Sequence, residues 1–579
     1  MTRIGRDKPW RRPGRVAYAA HRWSAFRRPA VSVHPMPADV LKQQDVAVRM
    51  RDGVTLRLNL YRPAGPELAL PVLLSAHPYG KDAVPVRRGR RWRINPQFRI
   101  MNQPAPVRIS DQTSWEAPDP VWWVGQGYAV INLDVRGGGR SEGRGALFSD
   151  QEADDIAQVI AWAAAQPWSN GRVGMLGVSY LAISQYKVAA RNPPALKAIC
   201  PWEGFTDPYR DFFSPGGVVE DGFARIWLFL SSRVARLSTD LEVERQRHPL
   251  RDAWWESLTP DLAAITVPIL ECTSFSDANL HSGGSMRAFQ QVASVHRHAY
   301  AHRGPKWATF YGEDARQHQL AFFDRYLRDR PAPEPARLRL EIRDRRDHVV
   351  EVRDEQEGPL GRTQWRWLHL GADGVLSDTE TAAGTVTFGL RSHAAAFDYR
   401  FAQDTELTGP MTLRLRVATL GARDPRLFVG VEKWASGAPV PFEGSYGYGR
   451  DHVAQGRLRL ALRELDPQRS APHQPVHAFR RVLPVRDGEE AEVLIPLSPS
   501  ATIFHAGDRL RLLIAGRYLQ PRNPLFGHFP THYRPSGAGR ATIAWAPGAP
   551  SALEIPVIPR APSELNISDR AAEANHPDA

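Results

Sequence analysis

The chain has few cysteines and no long apolar runs, and both shortages narrow the classes of protein to which it can belong. Cys200 and Cys272 are its two cysteines among 579 residues, which excludes a disulfide-rich secreted fold and fits a reducing compartment. No uncharged apolar run approaches the length that a membrane-spanning helix needs. The first forty residues lack the apolar segment of a secretory signal. We therefore expect a cytoplasmic protein without a membrane partner.

The composition is that of a globular protein with a basic N-terminal extension. Hydrophobic residues make up 42% and charged residues 24%, and the formal net charge is +13. Residues 1–40 carry nine lysines and arginines against two aspartates, so the rest of the chain is only mildly basic. Such an arm could contact nucleic acid or an anionic surface, but a solvated or surface-wrapping extension is the simpler interpretation. No nucleic-acid partner is expected. An arginine-rich stretch at 87–93 lies between prolines and predicts a loop.

Two patterns follow one another along the chain. From about residue 44 to 330, short apolar strands alternate with helical stretches such as residues 150–166, which predicts a parallel sheet covered on both faces. The aromatic-rich segment at about 205–262 interrupts this pattern and predicts a cap over the ligand crevice. The fold class is therefore α/β: an α/β-hydrolase domain with a helical cap insertion, followed by an all-β jelly-roll domain. The predicted units are a basic extension (1–43), the catalytic domain (44–330), a proline-rich link (330–335), a jelly-roll β-sandwich (336–561) and a polar tail (562–579).

The stretch Gly177-Val-Ser-Tyr180 contains the predicted nucleophile. An apolar strand leads into it and a helical pattern follows, which is the setting of a nucleophile elbow with Ser179 at its tip. The backbone N–H of Tyr180, at the start of the helix, would then face a developing oxyanion. The alternative interpretation of Ser179 is a serine that only caps the helix.

A serine nucleophile needs a base and an orienting acid, which in this fold follow in the order Ser, Asp, His. Asp277 comes just after a strand-like run, where the acid belongs. His302 follows the next strand-like run and is the predicted base. His281 is four residues after Asp277 and is predicted to line the site, while His296 and His318 fall on the wrong side of the strand. A metal site at His296, His298 and His302 is not expected, because no carboxylate or thiolate stands at ligand spacing.

Seven short motifs occur along the chain: M-R-D-G-V-T-L (50–56), Y-R-P (61–63), H-P-Y-G-K (77–81), D-V-R-G-G-G-R-S-E-G (134–143), Q-P-W-S-N-G (166–171), G-V-S-Y-L (177–181) and F-H-A-G-D-R-L-R-L (504–512). Together they resemble the cocaine esterase and X-Pro dipeptidyl-peptidase-like (CocE/NonD-type) serine hydrolases over about residues 44–560. Two positions depart from that family. The sixth elbow position is Ala182 where many members have glycine, and the histidine region reads H-R-G-P-K-W (302–307) where many have G-P-W-S-H.

The resemblance implies a hydrolase of esters or amides that uses no cofactor. It also implies that the Tyr79 hydroxyl shares the oxyanion with the Tyr180 N–H, which suits a phenol that stays protonated at neutral pH. An X-Pro peptidase needs an acidic group for the substrate ammonium, and Glu203 or Asp207 could supply it. Predicted to line the substrate pocket are Trp202, Phe205, Trp227 and His281.

Three functions remain open at this stage. We expect a serine hydrolase that cleaves a small-molecule ester or amide through an acyl-enzyme on Ser179, with Asp277 and His302 completing the triad. The alternatives are an X-Pro dipeptidyl-peptidase, or an acylase or acyltransferase that uses the same intermediate. A degenerate hydrolase that only binds a ligand is disfavoured, because nucleophile, acid and base candidates are all present. The substrate and the oligomeric state stay open, a homo-oligomer included.

Overall fold

The computed structural model describes most of the chain: residues 20, 23–24 and 26–560, apart from 66–67, 101–106, 329–333, 423, 445–450 and 521–528. Most of the basic extension, part of the predicted proline-rich link and the tail at 562–579 therefore lie outside the described residues. None of the described helices is long and apolar enough to cross a membrane.

A mostly parallel sheet organises the N-terminal half. Its first two strands are antiparallel to their neighbours, and the strands after them run parallel. The strand β2 begins at Val40, four residues before the predicted start of the catalytic unit. In spatial order the strands are β2 (Val40–Arg49), β3 (Thr55–Pro63), β8 (Ala129–Asp134), β4 (Leu70–His77), β9 (Ser169–Val178), β10 (Leu196–Trp202), β11 (Ile269–Ser274) and β12 (Arg297–His302).

Both faces of this sheet are covered by apolar residues. All eight residues of β4 are buried, and successive side chains pack into different hydrophobic cores. Leu73 belongs to one core, and its neighbours Val72 and Leu74 belong to the other. Burial on both faces explains why the sequence here reads as a continuous apolar run rather than an alternation. The predicted helix at 150–166 spans Asp150–Ala164 and turns Ile156 and Val159 toward the sheet.

In the described part of the chain, four short strands and ten helices surround the sheet. The stretch at 87–93, predicted as a loop, instead contains a hairpin whose turn includes Gly89 at a positive φ of 59°. The short strands are β1 (Val31–His34), β5 (Val86–Arg88), β6 (Arg91–Arg93) and β7 (Val107–Ser110). The helices are α1 (Gln97–Ile100), α2 (Pro120–Gly125), α3 (Asp150–Ala164), α4 (Tyr180–Ala189), α5 (Phe223–Val234), α6 (Leu241–Arg247), α7 (Ala253–Leu258), α8 (Ser282–Gln291), α9 (Lys306–Phe310) and α10 (Glu313–Arg328).

The helices α5, α6 and α7 lie in a segment inserted between β10 and β11, as the aromatic-rich stretch suggested. The segment opens with a π-helical turn, Pro208–Phe213, capped by the Asp207 side chain. Its aromatic rings pack together; those of Phe212 and Trp227, for example, are 5.5 Å apart edge to face. The insertion therefore has its own apolar contacts above the sheet.

The C-terminal half is β-rich and mostly antiparallel. The two long strands β19 and β23 pair antiparallel, and alternate residues of β24 are buried. One strand ends at Arg459, and the chain continues as a 3-10 turn over Leu460–Leu462. The strands are β13 (Leu338–Arg345), β14 (His348–Glu355), β15 (Gln364–Gly371), β16 (Val375–Ser377), β17 (Gly384–Gly389), β18 (Ala395–Arg400), β19 (Thr405–Leu420), β20 (Arg426–Ala435), β21 (Ala438–Val440), β22 (Ala454–Arg459), β23 (Glu490–Phe504), β24 (Arg509–Ala515), β25 (Arg540–Trp545) and β26 (Ala552–Ile558).

One strand belongs to both halves. The strand β13 pairs parallel with β12, with Ala299, Tyr300 and Ala301 opposite Leu338, Arg339 and Leu340. It also pairs antiparallel with β14. The catalytic sheet therefore continues past the predicted domain boundary into the β-rich half.

Candidate active site

Ser179 stands at a sharp turn between β9 and α4. Its backbone has φ 58° and ψ −116°, a strained conformation for a residue with a side chain and one typical of a nucleophile elbow. The turn requires a glycine at 177, because a Cβ there would lie 2.5 Å from the Cβ of Leu181. The Ser179 N–H donates to the carbonyl of Trp202 on the adjacent strand. The side chain is therefore held rigidly at the carboxyl edge of the sheet.

The imidazole beside Ser179 belongs to His281. Its Nε2 lies 3.1 Å from the Ser179 Oγ, a hydrogen-bond distance. The ring reaches this position because Asp277 and His281 span one helical turn: the His281 N–H donates to the Asp277 carbonyl at 3.0 Å. The Oδ2 of Asp277 is 3.9 Å from the His281 Nε2. Burial first, and then the charge of Lys306, lower the pKa of His281 to about 3, so the ring is neutral near pH 7.

His302 lies elsewhere, which corrects its predicted placement next to Ser179. It ends β12, as expected, but its Nδ1 accepts a hydrogen bond from the Gly304 N–H at 3.0 Å. That contact leaves the proton on Nε2, which is 3.5 Å from a carboxylate oxygen of Glu203. The histidine beside Ser179 therefore comes from the loop of Asp277 itself rather than from the end of the next strand.

A buried charge network connects the two histidines. The Lys306 ammonium is 2.9 Å from Asp277 and 3.0 Å from Glu203, and all three side chains are almost completely buried. Glu203, Cys272 and His302 are close enough to one another to suggest a metal site. A metal does not fit there, because Lys306 already supplies the positive charge and burial raises the pKa of the Cys272 thiol.

Neither acidic candidate for binding a substrate ammonium faces Ser179. Glu203 is engaged by Lys306, and Asp207 forms ion pairs with Arg210 at 3.1 Å and Arg251 at 3.0 Å. These carboxylates are thus already neutralised by cations of the chain.

Tyr79 and Tyr180 lie together beside the nucleophile. Their rings pack edge to face at 6.3 Å. The Tyr79 hydroxyl accepts a hydrogen bond from the Trp227 indole N–H at 2.9 Å, so the hydroxyl proton can point to another acceptor. Trp227 belongs to α5 and stacks on Tyr180, with ring centroids 6.0 Å apart. The inserted helices therefore contact both predicted oxyanion donors.

Glu116 is a further acid at this site that the sequence did not predict. Its carbonyl accepts the Val178 N–H, one residue before the nucleophile, and its side chain is buried. The Tyr180 N–H and the Tyr79 hydroxyl both interact with its carboxyl group. Burial raises the pKa of Glu116 to about 8, so most molecules carry a neutral carboxylic acid there at pH 7. No motif or spacing links position 116 to the elbow.

The cavity at Ser179 is closed and aromatic. It holds about 10 Å³, which is space for roughly one water molecule. Three of the four predicted pocket residues, Phe205, Trp227 and His281, line it. Trp202 instead packs in the core against Tyr300, with ring centroids 5.1 Å apart.

Comparison with known proteins supports the resemblance over most of the chain. The sequence profile of the X-Pro dipeptidyl-peptidase (S15 family) matches residues 52–305, and that of the X-Pro dipeptidyl-peptidase C-terminal non-catalytic domain matches residues 336–554. Cocaine esterase of Rhodococcus sp. (strain MB1 Bresler) is 28% identical over 425 residues, which is 62% of this chain and 67% of that protein.

Solved structures give the same result. The crystal structure of a CocE/NonD family hydrolase from Staphylococcus aureus is 33% identical, has a TM-score of 0.84, and is aligned over 90% of this chain and 94% of that one. An α-amino acid ester hydrolase shares the fold at 18% identity and a TM-score of 0.66, over 90% of this chain and 97% of that one. The chain therefore belongs to the CocE/NonD family of hydrolases and is a serine hydrolase with an N-terminal catalytic domain and a C-terminal β-rich domain.

Proposed function

We propose that this protein hydrolyses an ester of a small acyl group, with Ser179 as nucleophile, His281 as general base and Asp277 as the supporting carboxylate. The observation that carries this assignment is the 3.1 Å contact between the Ser179 Oγ and the His281 Nε2. A neutral imidazole is the form that can accept the serine proton. Burial keeps His281 in that form by lowering its pKa.

The reaction proceeds in two steps through an acyl-enzyme. The Ser179 Oγ attacks the carbonyl carbon while its proton passes to the His281 Nε2, and the carbonyl oxygen becomes an oxyanion. The Tyr180 N–H and the Tyr79 hydroxyl stabilise that oxyanion. His281 then returns the proton to the leaving alcohol, and a water molecule repeats the sequence to release the acid. The Asp277 carboxylate, 3.9 Å from Nε2, stabilises the transient imidazolium.

The inserted helices act in this proposal as a cap. The cavity of about 10 Å³ is too small for an acyl group, so α5 must move before substrate enters. The Trp227–Tyr79 hydrogen bond forms only when the cap is closed, which couples closure to the orientation of an oxyanion donor. The aromatic lining suits a small apolar acyl group.

The β-rich half is proposed to be a jelly-roll sandwich that holds the catalytic loop. Two of its side chains hydrogen-bond the Asn279 Oδ1, between Asp277 and His281: the Gln455 Nε2 at 3.0 Å and the Tyr518 hydroxyl at 2.9 Å. Apolar side chains of β19 and β20 share one core, as the facing sheets of a sandwich do.

Labelling with a fluorophosphonate tests the nucleophile and the base together. We expect Ser179→Ala to abolish labelling and to lower kcat on p-nitrophenyl acetate by about 10³-fold or more. His281→Ala should lower both readouts by a similar factor. The matched variant His302→Ala should retain more labelling than His281→Ala, since its ring faces Glu203. If His302→Ala is inert while His281→Ala labels normally, the assignment of the base is wrong. A panel of p-nitrophenyl esters and aminoacyl-proline amides then separates esterase from peptidase activity.

A further inference from the structure

A second and much larger cavity lies between the two halves of the chain. Its volume is about 610 Å³, within the range of small-molecule sites. One wall comes from the segment at 278–280 and from α8, and the other from residues 408–412, 455–457 and 469–477 of the β-rich half. Leu280 lines both this cavity and the cavity at Ser179. The interface cavity therefore begins one side chain away from the proposed catalytic centre.

The lining of the interface cavity contains arginines from both halves of the chain. Among the described residues that line the cavity, Asp211 is the single acidic side chain. It forms a bidentate ion pair with Arg287, with nitrogen–oxygen distances of 2.9 and 3.0 Å. Arg457 donates to the Tyr533 hydroxyl. Two more arginines, Arg210 and Arg469, also line the cavity, and the Nε of Arg469 is 3.8 Å from Asp466, which is not a lining residue. The lining thus carries an excess of positive charge.

Arg210 shows this excess most clearly. Its guanidinium is buried, with Nε 3.1 Å from Asp207 and Nη1 donating to the His477 carbonyl at 2.5 Å. Its Nη2 is also buried and has no hydrogen-bond acceptor in the part of the chain that the structure describes. Burial and nearby arginines, Arg469 among them, lower the pKa of Arg210 to about 10 although Asp207 raises it. A bound anion would relieve both the repulsion and the missing hydrogen bond.

The remaining lining is apolar and includes Phe275, Leu280, Met286 and Leu340. An inorganic anion has no apolar part, so it would leave these apolar side chains exposed to water in the cavity. We infer that the interface cavity binds an organic acid, with its carboxylate at Arg210 and Arg469 and its aliphatic part against the apolar wall. The carboxylate belongs either to the substrate itself, in which case the inference rests on the proposed function, or to a free acid, in which case it does not.

Calorimetry with the full-length protein tests the shared chemistry. Hexanoate should bind at least tenfold more tightly than the neutral isostere 1-hexanol. Arg469→Gln should weaken hexanoate binding by about tenfold or more, the usual effect of a charge-assisted hydrogen bond, without changing binding of the alcohol. The matched control is Arg486→Gln, an exposed arginine of the same half outside the cavity, which should bind hexanoate normally. Equal binding of acid and alcohol, or an unchanged Arg469→Gln variant, overturns the inference.

Paired ester substrates separate the two sources of the carboxylate. If the substrate supplies the carboxylate, kcat/KM for the p-nitrophenyl monoester of glutaric acid exceeds that for p-nitrophenyl pentanoate. Arg469→Gln should then lower the ratio of these two kcat/KM values by about tenfold. If a free acid supplies it, the preference is absent while hexanoate still binds. Arg210→Lys keeps the positive charge but not the planar set of N–H donors. It should therefore weaken hexanoate binding by an intermediate factor in calorimetry. A wild-type protein that cleaves neither ester contradicts the proposed function and leaves the calorimetric test valid.

Discussion

The ionisation of Glu116 should set an upper pH limit on activity. The perturbation is a rise in pH across 8, compared between the wild-type protein and Glu116→Gln. The Tyr79 hydroxyl and the Tyr180 N–H favour the ionised form of Glu116, because both lower its pKa. The carboxylate should therefore hold these donors more strongly than the neutral acid does and compete with an oxyanion for them. Glutamine resembles the neutral acid in shape and cannot ionise. The variant should therefore behave like the wild-type protein at neutral pH.

The magnitude follows from the pKa and from Coulomb's law. With a pKa of about 8, roughly one Glu116 in ten is ionised at pH 7 and roughly nine in ten at pH 9. Two unit negative charges about 4 Å apart repel by about 4 kcal/mol at an effective dielectric constant of 20, or about a thousandfold in rate. The ionised enzyme is then nearly inactive. Above pH 8, kcat/KM should fall about tenfold per pH unit.

The assay is kcat/KM for a p-nitrophenyl ester between pH 5 and 10, corrected for spontaneous hydrolysis. Glu116→Gln should keep kcat/KM at pH 7 within about threefold of wild type and show no decline from pH 8 to 9.5. Other titratable groups around Glu116 are Lys306, Tyr311 and Tyr79. If the variant keeps the same decline, one of these groups causes it and the reasoning fails.

A second buried glutamate provides the control for this experiment. Glu152 accepts a hydrogen bond from the Tyr180 side-chain hydroxyl, and burial raises its pKa to about 7. It is not among the residues lining the Ser179 cavity. Glu152→Gln should therefore keep the decline above pH 8. A wild-type profile that stays flat to pH 9.5 would contradict the role assigned to Glu116.

Three substitutions test the oxyanion donors and the loop. Tyr79→Phe should lower kcat by about 10²–10³ with KM within about threefold, because one oxyanion donor is lost; an unchanged kcat would mean that another group donates. Trp227→Phe keeps the stacked ring but removes the N–H bound to Tyr79, so kcat in steady-state assays should fall by about two- to tenfold. A variant as active as wild type would show that the cap does not orient Tyr79. Gln455→Met removes a hydrogen bond to Asn279 and should slow fluorophosphonate labelling by a similar factor, whereas a KM effect alone would contradict its positioning role.

The sharp turn at Ser179 could be predicted from the sequence because its signal is local. A glycine two residues before Ser179, an apolar strand before it and a helix after it are enough to specify the turn, and the structure has that turn. The position of Asp277 just past a strand is equally local. Strands with a continuous apolar run, such as β4, and the amphipathic helix α3 were recognised for the same reason.

The histidine and the extra acid could not be predicted in this way. Whether His281 or His302 faces Ser179 depends on how the turn after Asp277 folds back, and both histidines lie near the carboxyl ends of strands. Glu116 is far from the elbow in sequence, and its carbonyl accepts a hydrogen bond from the Val178 N–H. Contacts of this kind depend on how whole segments pack in the folded chain, so the spacing of residues along the sequence does not predict them.

The strand shared by the two halves has a consequence for how this protein can be divided or recombined. A chain cut after residue 335 would lose Leu338–Arg345 and leave β12 at a sheet edge, with Ala299–Ala301 unpaired on the side away from β11. Such an edge pairs readily with other chains, so the shortened protein would tend to aggregate rather than fold alone. A junction after Arg345 would instead separate this strand from β14, with which it forms the longer antiparallel pairing. The matched regions 52–305 and 336–554 therefore do not correspond to two units that can be separated without exposing a sheet edge.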